Sequence, residues 1–369
     1  MRLFWLLLSL CWACTAGADW RDEVARLVAA GQVEIAIAVA ERERASWLRP
    51  HLAQQLPAPS TYIGWVAASD DLIAYGRTPA PWARRVADGA EVVAAVAAVR
   101  TAVIAGREPP ARSVGLLRAL LAAVQPHLPR TGPWVFATDG ALSELPFAII
   151  TDVPIVHALS ERSAAVAASR AAAARRRPPT LLGFARNAAD DPDALPAARA
   201  EIALAAAALG GPAELLSGPG ALARLRLAAY DGTLTGARFI LVATHTVQRD
   251  GMFALELADT DAAPFTPVDA LHLQFTAELV VLSACETANG AGFAEAGARV
   301  GVGMTLLTLW RVDDAASAQF VAALFAELAR GLRPDAAVTR VQRAFARGDH
   351  GEPYRHPYHW SGWQLWGGL

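Results

Sequence analysis

ELVVLSACETANG, residues 278–290, runs from four unbroken apolar residues through serine and alanine to a cysteine, then to an acid, a hydroxyl and a glycine. An apolar run without alternation reads as a strand covered on both faces, the kind that builds parallel sheets. In such sheets ligands gather beyond the carboxyl ends of the strands, and Cys285 stands at that end. A thiol there is either a small buried hydrophobe or a reactive atom. RFILVATH, residues 238–245, has the same form and ends in His245. The histidine precedes the cysteine by 285 − 245 = 40 residues, enough for the chain to return and lay the two strands side by side. Neighbouring strands run about 4.8 Å apart, so His245 and Cys285 are expected at adjoining tips. An imidazole so placed takes the thiol proton or holds the thiolate, and the sulfur attacks a carbonyl. Alone, His245 reads more readily as a hydrogen-bonded core or rim histidine; its convergence with the cysteine favours the chemistry.

The same alternation extends to both sides. TLLGFA (180–185) and MTLLTLW (304–310) read as strands, and AARAEIALAAAAL (197–209), AASAQFVAALFAELARG (315–331) and DAAVTRVQRAFA (335–346) as helices. This order predicts an α/β fold, a mostly parallel sheet with helices on both faces. Towards the N-terminus, residues 19–56 predict a short helical lead-in broken at Gly31, with no second copy at a fixed period. TYIGWVAASDDLIAYG (61–76) reads as a hairpin turning at Ser69, Asp70 and Asp71. Helices over 89–105 and 114–128 and a strand in WVFATDG (134–140) follow.

Composition narrows the chemistry. At 369 residues and 54% hydrophobic the chain can bury a full core. A net charge of −2 supplies no general attraction to nucleic acid or acidic lipid. All 33 basic residues are arginine, which excludes a Schiff-base lysine and the lysine of a phosphate-binding loop. Gly290, Gly292 and Gly297 follow a strand, but their spacing is not the dinucleotide fingerprint and Cys285–Thr287 intervene.

Residues 1–18 read as an export signal: Arg2, an apolar stretch over 3–14, and Ala16 and Ala18 around Gly17, with cleavage after Ala18. The stretch is shorter than the roughly 20 apolar residues of a spanning helix. Lipidation at Cys14 and retention as an anchor are the alternatives to release into the periplasm. Removal of Cys11 and Cys14 leaves Cys285 alone, with no internal disulfide and a free thiol in an oxidising compartment.

In LVATH (241–245), LVVLSACETANG (279–290), LTLWRVDD (307–314) and HPYHWSGWQLWGG (356–368), the sequence resembles the CHAT domain family, the bacterial caspase-like cysteine peptidases. The hairpin, DGALSELPFAII (139–150) and ALPAARAEI (194–202) add to the resemblance, which covers residues 57–369. It implies a three-layer caspase-like sandwich and an endopeptidase with His245 as base and Cys285 as nucleophile, without a cofactor. The oxyanion would be held by the backbone N–H groups of Cys285 and Thr246.

Two features depart from the family. Thr246 stands where glycine is usual, and a β-branched residue resists a positive φ. The 310 − 285 = 25 residues from Cys285 to Trp310 are fewer than the family leads one to expect. These departures keep a second reading open, a catalytically inactive interaction or signalling module. Trp310, Asp313 and Asp314 are expected to border the pocket for the residue before the scissile bond, the two acids suiting an arginine or lysine. Against that, either acid would cap the helix beginning at Ala315, Asp314 being favoured for the cap. SRAAAARRRPPT (169–180) reads as a solvated loop, with a maturation cleavage near Arg175–Arg177 as the alternative. His350, His356 and His359 read as packing around the C-terminal strand, not as a metal site. The expected partners are a protein or peptide substrate in the cell envelope and a separate sensor or regulatory protein, with no nucleic acid.

Overall fold

The computed structural model describes residues 18–46, 61–130, 132–185, 196–217, 220–249, 252–257, 264–284, 286–288 and 292–369. Residues 1–17 of the export signal with Cys11 and Cys14, residues 47–56 of the lead-in, Cys285 and Gly290 lie outside the described residues.

An eleven-stranded sheet carries the fold, in the order β3-β2-β1-β4-β5-β13-β12-β11-β8-β6-β7. Its members are β1 (Tyr62–Ala67), β2 (Asp71–Gly76), β3 (Trp82–Asp88), β4 (Trp134–Ala137), β5 (Ile155–His157), β6 (Leu181–Ala185), β7 (Ala213–Ser217), β8 (Phe239–Ala243), β11 (Leu279–Ser283), β12 (Met304–Thr308) and β13 (Trp363–Gly367). Seven of the ten neighbouring pairs are parallel; the hairpin strands and the β12–β13 pair are antiparallel. A separate hairpin, β9 (Thr246–Arg249) with β10 (Met252–Leu255), leaves the sheet directly after His245.

Each buried strand sends alternate side chains to opposite faces, and helices cover both. On one face lie α3 (Gly89–Ile104), α4 (Ala111–Val124), α7 (Ala221–Tyr230), α9 (Pro267–Ala270) and α10 (Gly292–Val300), against Trp65, Phe136, Phe184, Ile240 and Val280. The short α8 (Thr233–Gly236) adds Leu234 to that face. On the other lie α6 (Pro196–Leu209), α11 (Asp314–Ala329) and α12 (Pro334–Arg347), against Phe239, Leu241, Val281 and Leu306. The lead-in forms α1 (Ala18–Ala29) and α2 (Val33–Arg44), separated at Gly31, whose φ of +73° a side chain rarely adopts. Both pack on this second face over Tyr62, Val66, Ile73 and Val135. The result is the three-layer, mostly parallel α/β sandwich expected from the sequence.

One segment differs from expectation. Residues expected as a solvated loop form the end of α5 (Glu161–Arg175), a helix opened by a reciprocal Ser160 and Ser163 cap. The arginines are engaged: Arg170 donates to the Ala298 carbonyl, Arg175 pairs with the buried Glu278, and Arg177 donates to Thr235 and Thr276. These guanidinium groups hold the helix end against its neighbours, while Arg176, Pro178 and Pro179 beyond it are exposed.

Among the described residues no helix is long and apolar enough to cross a membrane.

Candidate active site

The strands that end at the two candidate residues are hydrogen-bonded parallel neighbours, in a register that sets Ala243 beside Ser283. The Thr244 N–H continues the ladder to the Ser283 carbonyl at 3.2 Å. Two residues beyond Ala243 is His245; two beyond Ser283 is position 285.

Ala284 and Glu286–Ala288, the described residues either side of Cys285, are tied to the neighbouring strand end. The Thr308 hydroxyl donates to the Ala284 carbonyl at 2.6 Å. The Thr308 N–H donates to the Thr287 hydroxyl at 3.0 Å, and the Ala288 N–H donates to the Thr308 carbonyl at 2.9 Å. Both threonines are buried, so these bonds face little competition from water. Between them Glu286 holds φ = +58°, the one non-glycine residue in the left-handed region among those described. Such a conformation costs about 1–2 kcal/mol and persists where surrounding bonds enforce it. Arg100 of α3 adds a charge contact to Glu286, ion-pairs with Glu144 and reaches the Leu309 carbonyl at 3.5 Å.

His245 lines a small cavity, partly open to solvent. Thr244, Ser283, Ala284, Thr308, Arg311 and Asp314 are among its walls. Beyond the histidine the chain enters the β9–β10 hairpin: the Thr244 hydroxyl donates to the Glu256 carbonyl at 2.6 Å, and the Glu256 N–H returns to the His245 carbonyl at 2.9 Å. Thr246 is the first residue of that hairpin, opposite Leu255, in extended backbone that suits a β-branched residue. The shortened connection after position 285 contains the nine-residue α10.

The residues expected at the specificity pocket separate. Trp310 is 2% exposed and belongs to the core. Its indole N–H finds the Tyr358 carbonyl at 2.9 Å, and Gly362 lies so close that a Cβ there would meet the ring at 2.8 Å. It is therefore turned away from the cavity it was expected to border. Asp313, not Asp314, caps α11: its carboxylate accepts the Ala316 N–H at 3.0 Å, because the helix begins one residue earlier than expected. Asp314 lines the cavity instead. His350 stacks on Phe345, and His359 meets Tyr354 and Tyr358 edge-on, as packing residues of the C-terminal region.

A residue without a sequence-based assignment occupies the same cavity. Glu201 of α6 is 4% exposed and lines the wall with His245 and Ser283. Burial pushes its carboxyl up to about 8; the Ser283 hydroxyl works against that rise and the Asp314 charge adds to it. Its carboxyl oxygen Oε1 has no hydrogen-bond partner. The only signal in the sequence was an acid within the alanine-rich ALPAARAEI, and nothing local marks it as buried.

Tetratricopeptide repeat protein 28 of Mus musculus is 32% identical over 109 residues, 28% of this chain. Its Homo sapiens counterpart is 30% identical over the same length. The chain spans 4% of the length of each. Among solved structures, the Arg-specific cysteine proteinase gingipain R superposes with a TM-score of 0.47 at 11% identity, over 70% of this chain and 67% of that one. Separase in the Saccharomyces cerevisiae separase–securin complex gives 0.40 at 12% identity, over 69% of this chain and 17% of that one. The family model of the CHAT domain matches residues 111–368. That span takes in β8, β11, β12 and β13 and the cavity at their tips, and the chain belongs to the CHAT domain family.

Proposed function

We propose that the chain is an exported cysteine endopeptidase that cuts a protein substrate of the cell envelope, with His245 as base and Cys285 as nucleophile. The observation that carries this reading is the parallel β8–β11 pair, with Ala243 beside Ser283 and a solvent-connected cavity at the tips. The bonds from Thr308 and Thr287 and the left-handed Glu286 support it, because a reacting atom needs a backbone held in place on both sides. The sulfur adds to the scissile carbonyl carbon while its proton passes to the imidazole. The imidazole then protonates the leaving amine as the C–N bond breaks, and water hydrolyses the thioester. Backbone N–H groups of Cys285 and Thr246 are the proposed oxyanion donors.

Export rests on residues 1–18. Cleavage after Ala18 leaves Arg21 on the mature chain, where it donates to Asp139 at 2.9 Å. N-terminal sequencing of the protein recovered from the periplasm is expected to begin at Asp19; an intact Met1 would overturn cleavage.

The deciding experiment exposes wild type, Cys285→Ala and His245→Ala to a peptide library. Cleavage by wild type alone is expected. A wild-type chain whose thiol reacts with an acylating peptide no faster than that of His245→Ala would favour the interaction module. A regulatory partner on a separate polypeptide would then copurify with Cys285→Ala as readily as with wild type.

A further inference from the structure

We propose that Arg100 of α3 is a positioning residue: its charge holds Glu286, and through Glu286 the left-handed backbone that follows Cys285. The effect on turnover rests on the peptidase reading; the hold on the loop does not.

Arg100 lies ahead of the span that matches the CHAT family. Its helix places Val92, Val96 and Val99 in the core shared with Trp65 and Phe136, in the half of the sheet built first along the chain. The Arg100 side chain, 19% exposed, reaches from there to three other segments. It ion-pairs with Glu144 at the end of the 3-10 turn Gly140–Glu144. It lies 3.5 Å from the carbonyl of Leu309, and its charge acts on Glu286. Leu309 follows Thr308, the residue that bonds Ala284, Thr287 and Ala288. The nucleophile loop is thus held from two sides, by β12 through its backbone and by α3 through its one carboxylate.

Neither charge is explained by packing. Glycine would take φ = +58° at position 286 without strain, whereas a side chain there is strained, so the carboxylate has a use that outweighs the strain. Burial works against the charge on Arg100, and the Glu286 carboxylate opposes that effect. The Arg100 Nε–H is buried and has no hydrogen-bond partner among the described residues. A guanidinium in that condition contributes little to folding.

The contacts continue outwards. The Asp139 carboxylate accepts the Gly140 N–H at 3.0 Å, capping the turn that ends at Glu144, and Arg21 of α1 donates to the same carboxylate at 2.9 Å. Arg21, Asp139, Glu144, Arg100 and Glu286 therefore link the lead-in to the loop.

The link bears on acyl transfer. Thr287 and Ala288 are pinned to Thr308, so a change of φ at Glu286 is taken up on its amino side, where residue 285 stands. A displaced residue 285 offers its N–H to the oxyanion at the wrong angle, and the loss falls on the transition state, not on substrate binding.

A double-mutant cycle in the full-length chain tests this. Arg100→Gln and Glu286→Gln are each expected to lower kcat about 10-fold with KM little changed, and the double variant to be no slower than either alone. Arg100→Lys keeps the charge and loses the fork that spans Glu144 and Leu309, so it should stay near the Arg100→Gln rate. Full activity in Arg100→Lys, or effects that multiply in the double variant, overturns the positioning role. Hydrogen exchange over residues 284–288 reads the loop without turnover: Arg100→Gln and Glu286→Gln should each exchange about 10-fold faster than wild type, and Arg21→Gln by a smaller factor. Unchanged exchange in Arg100→Gln overturns the inference. If wild type cleaves no peptide and Arg100→Gln still exchanges faster, the peptidase reading fails and the hold on the loop stands. Should Arg100→Gln fail to fold in circular dichroism melts, Glu144→Gln takes its place, loosening the guanidinium from its more exposed partner.

Discussion

Thr308 closes the ring of bonds around Ala284–Ala288, and its hydroxyl has one buried acceptor, the Ala284 carbonyl. Replacing it with valine keeps the shape and removes that bond. The expected cost is about 1–2 kcal/mol in denaturant unfolding, together with slower turnover because the loop is no longer held. At the next position but one from Ala284, Glu286→Val would force a β-branched residue into the left-handed region, for about 1–2 kcal/mol, whereas Glu286→Gly would not. Urea titration of the two variants reads the difference. At this scale the two apolar strands were legible, because their unbroken apolar runs could only be covered on both faces, and they pair as parallel neighbours. Glu201 was not legible. One acid among alanines looks like a solvated helix face until α11 is laid over it.

Among the elements, α6 and α11 decide the shape of the cavity. Gly183→Ala would press a methyl group into Ile202 and push α6 outward, for about 1–3 kcal/mol by thermal melting. The displacement would carry Glu201 with it and alter the wall it shares with His245 and Ser283. Asp313→Ala removes the α11 cap and is expected to cost about 1 kcal/mol by thermal melting, while Asp314→Ala leaves the cap in place and costs less. The long strands and helices could be read from their periodicity. The helix α5 could not: its alanine and arginine run has no apolar stripe, and only the tertiary partners of Arg170, Arg175 and Arg177 show why it is ordered. Three-residue β5 and the exposed edge strand β7 escaped notice for a related reason, too short or too polar to stand out. The cap went to Asp313 and not to the favoured Asp314 because the helix starts one residue earlier, a shift too small for sequence to fix.

For the molecule as a whole, two buried groups tilt stability in opposite directions. Glu201 titrates near 8 when folded and near 4.5 when unfolded, so between those values the folded chain holds a proton the unfolded chain has lost, and stability falls as pH rises. His157, buried against Trp366 and Phe147, is held down to about 3 against an ordinary 6.5, so stability falls as pH drops through that window. Melting temperature against pH should show the alkaline slope reduced in Glu201→Gln and the acid slope reduced in His157→Gln. The lead-in helices belong to the same unit, since Glu41 accepts from both Tyr62 and Tyr75 at 2.6 Å and from the Glu161 N–H at 2.8 Å. The strand order sets a timetable for the whole. β13 is wedged between β5 and β12, so the ribosome must release some 200 further residues after β5 before its neighbour exists. Until then the polypeptide has two half-sheets with raw inner edges, β5 bordering one and β12 the other.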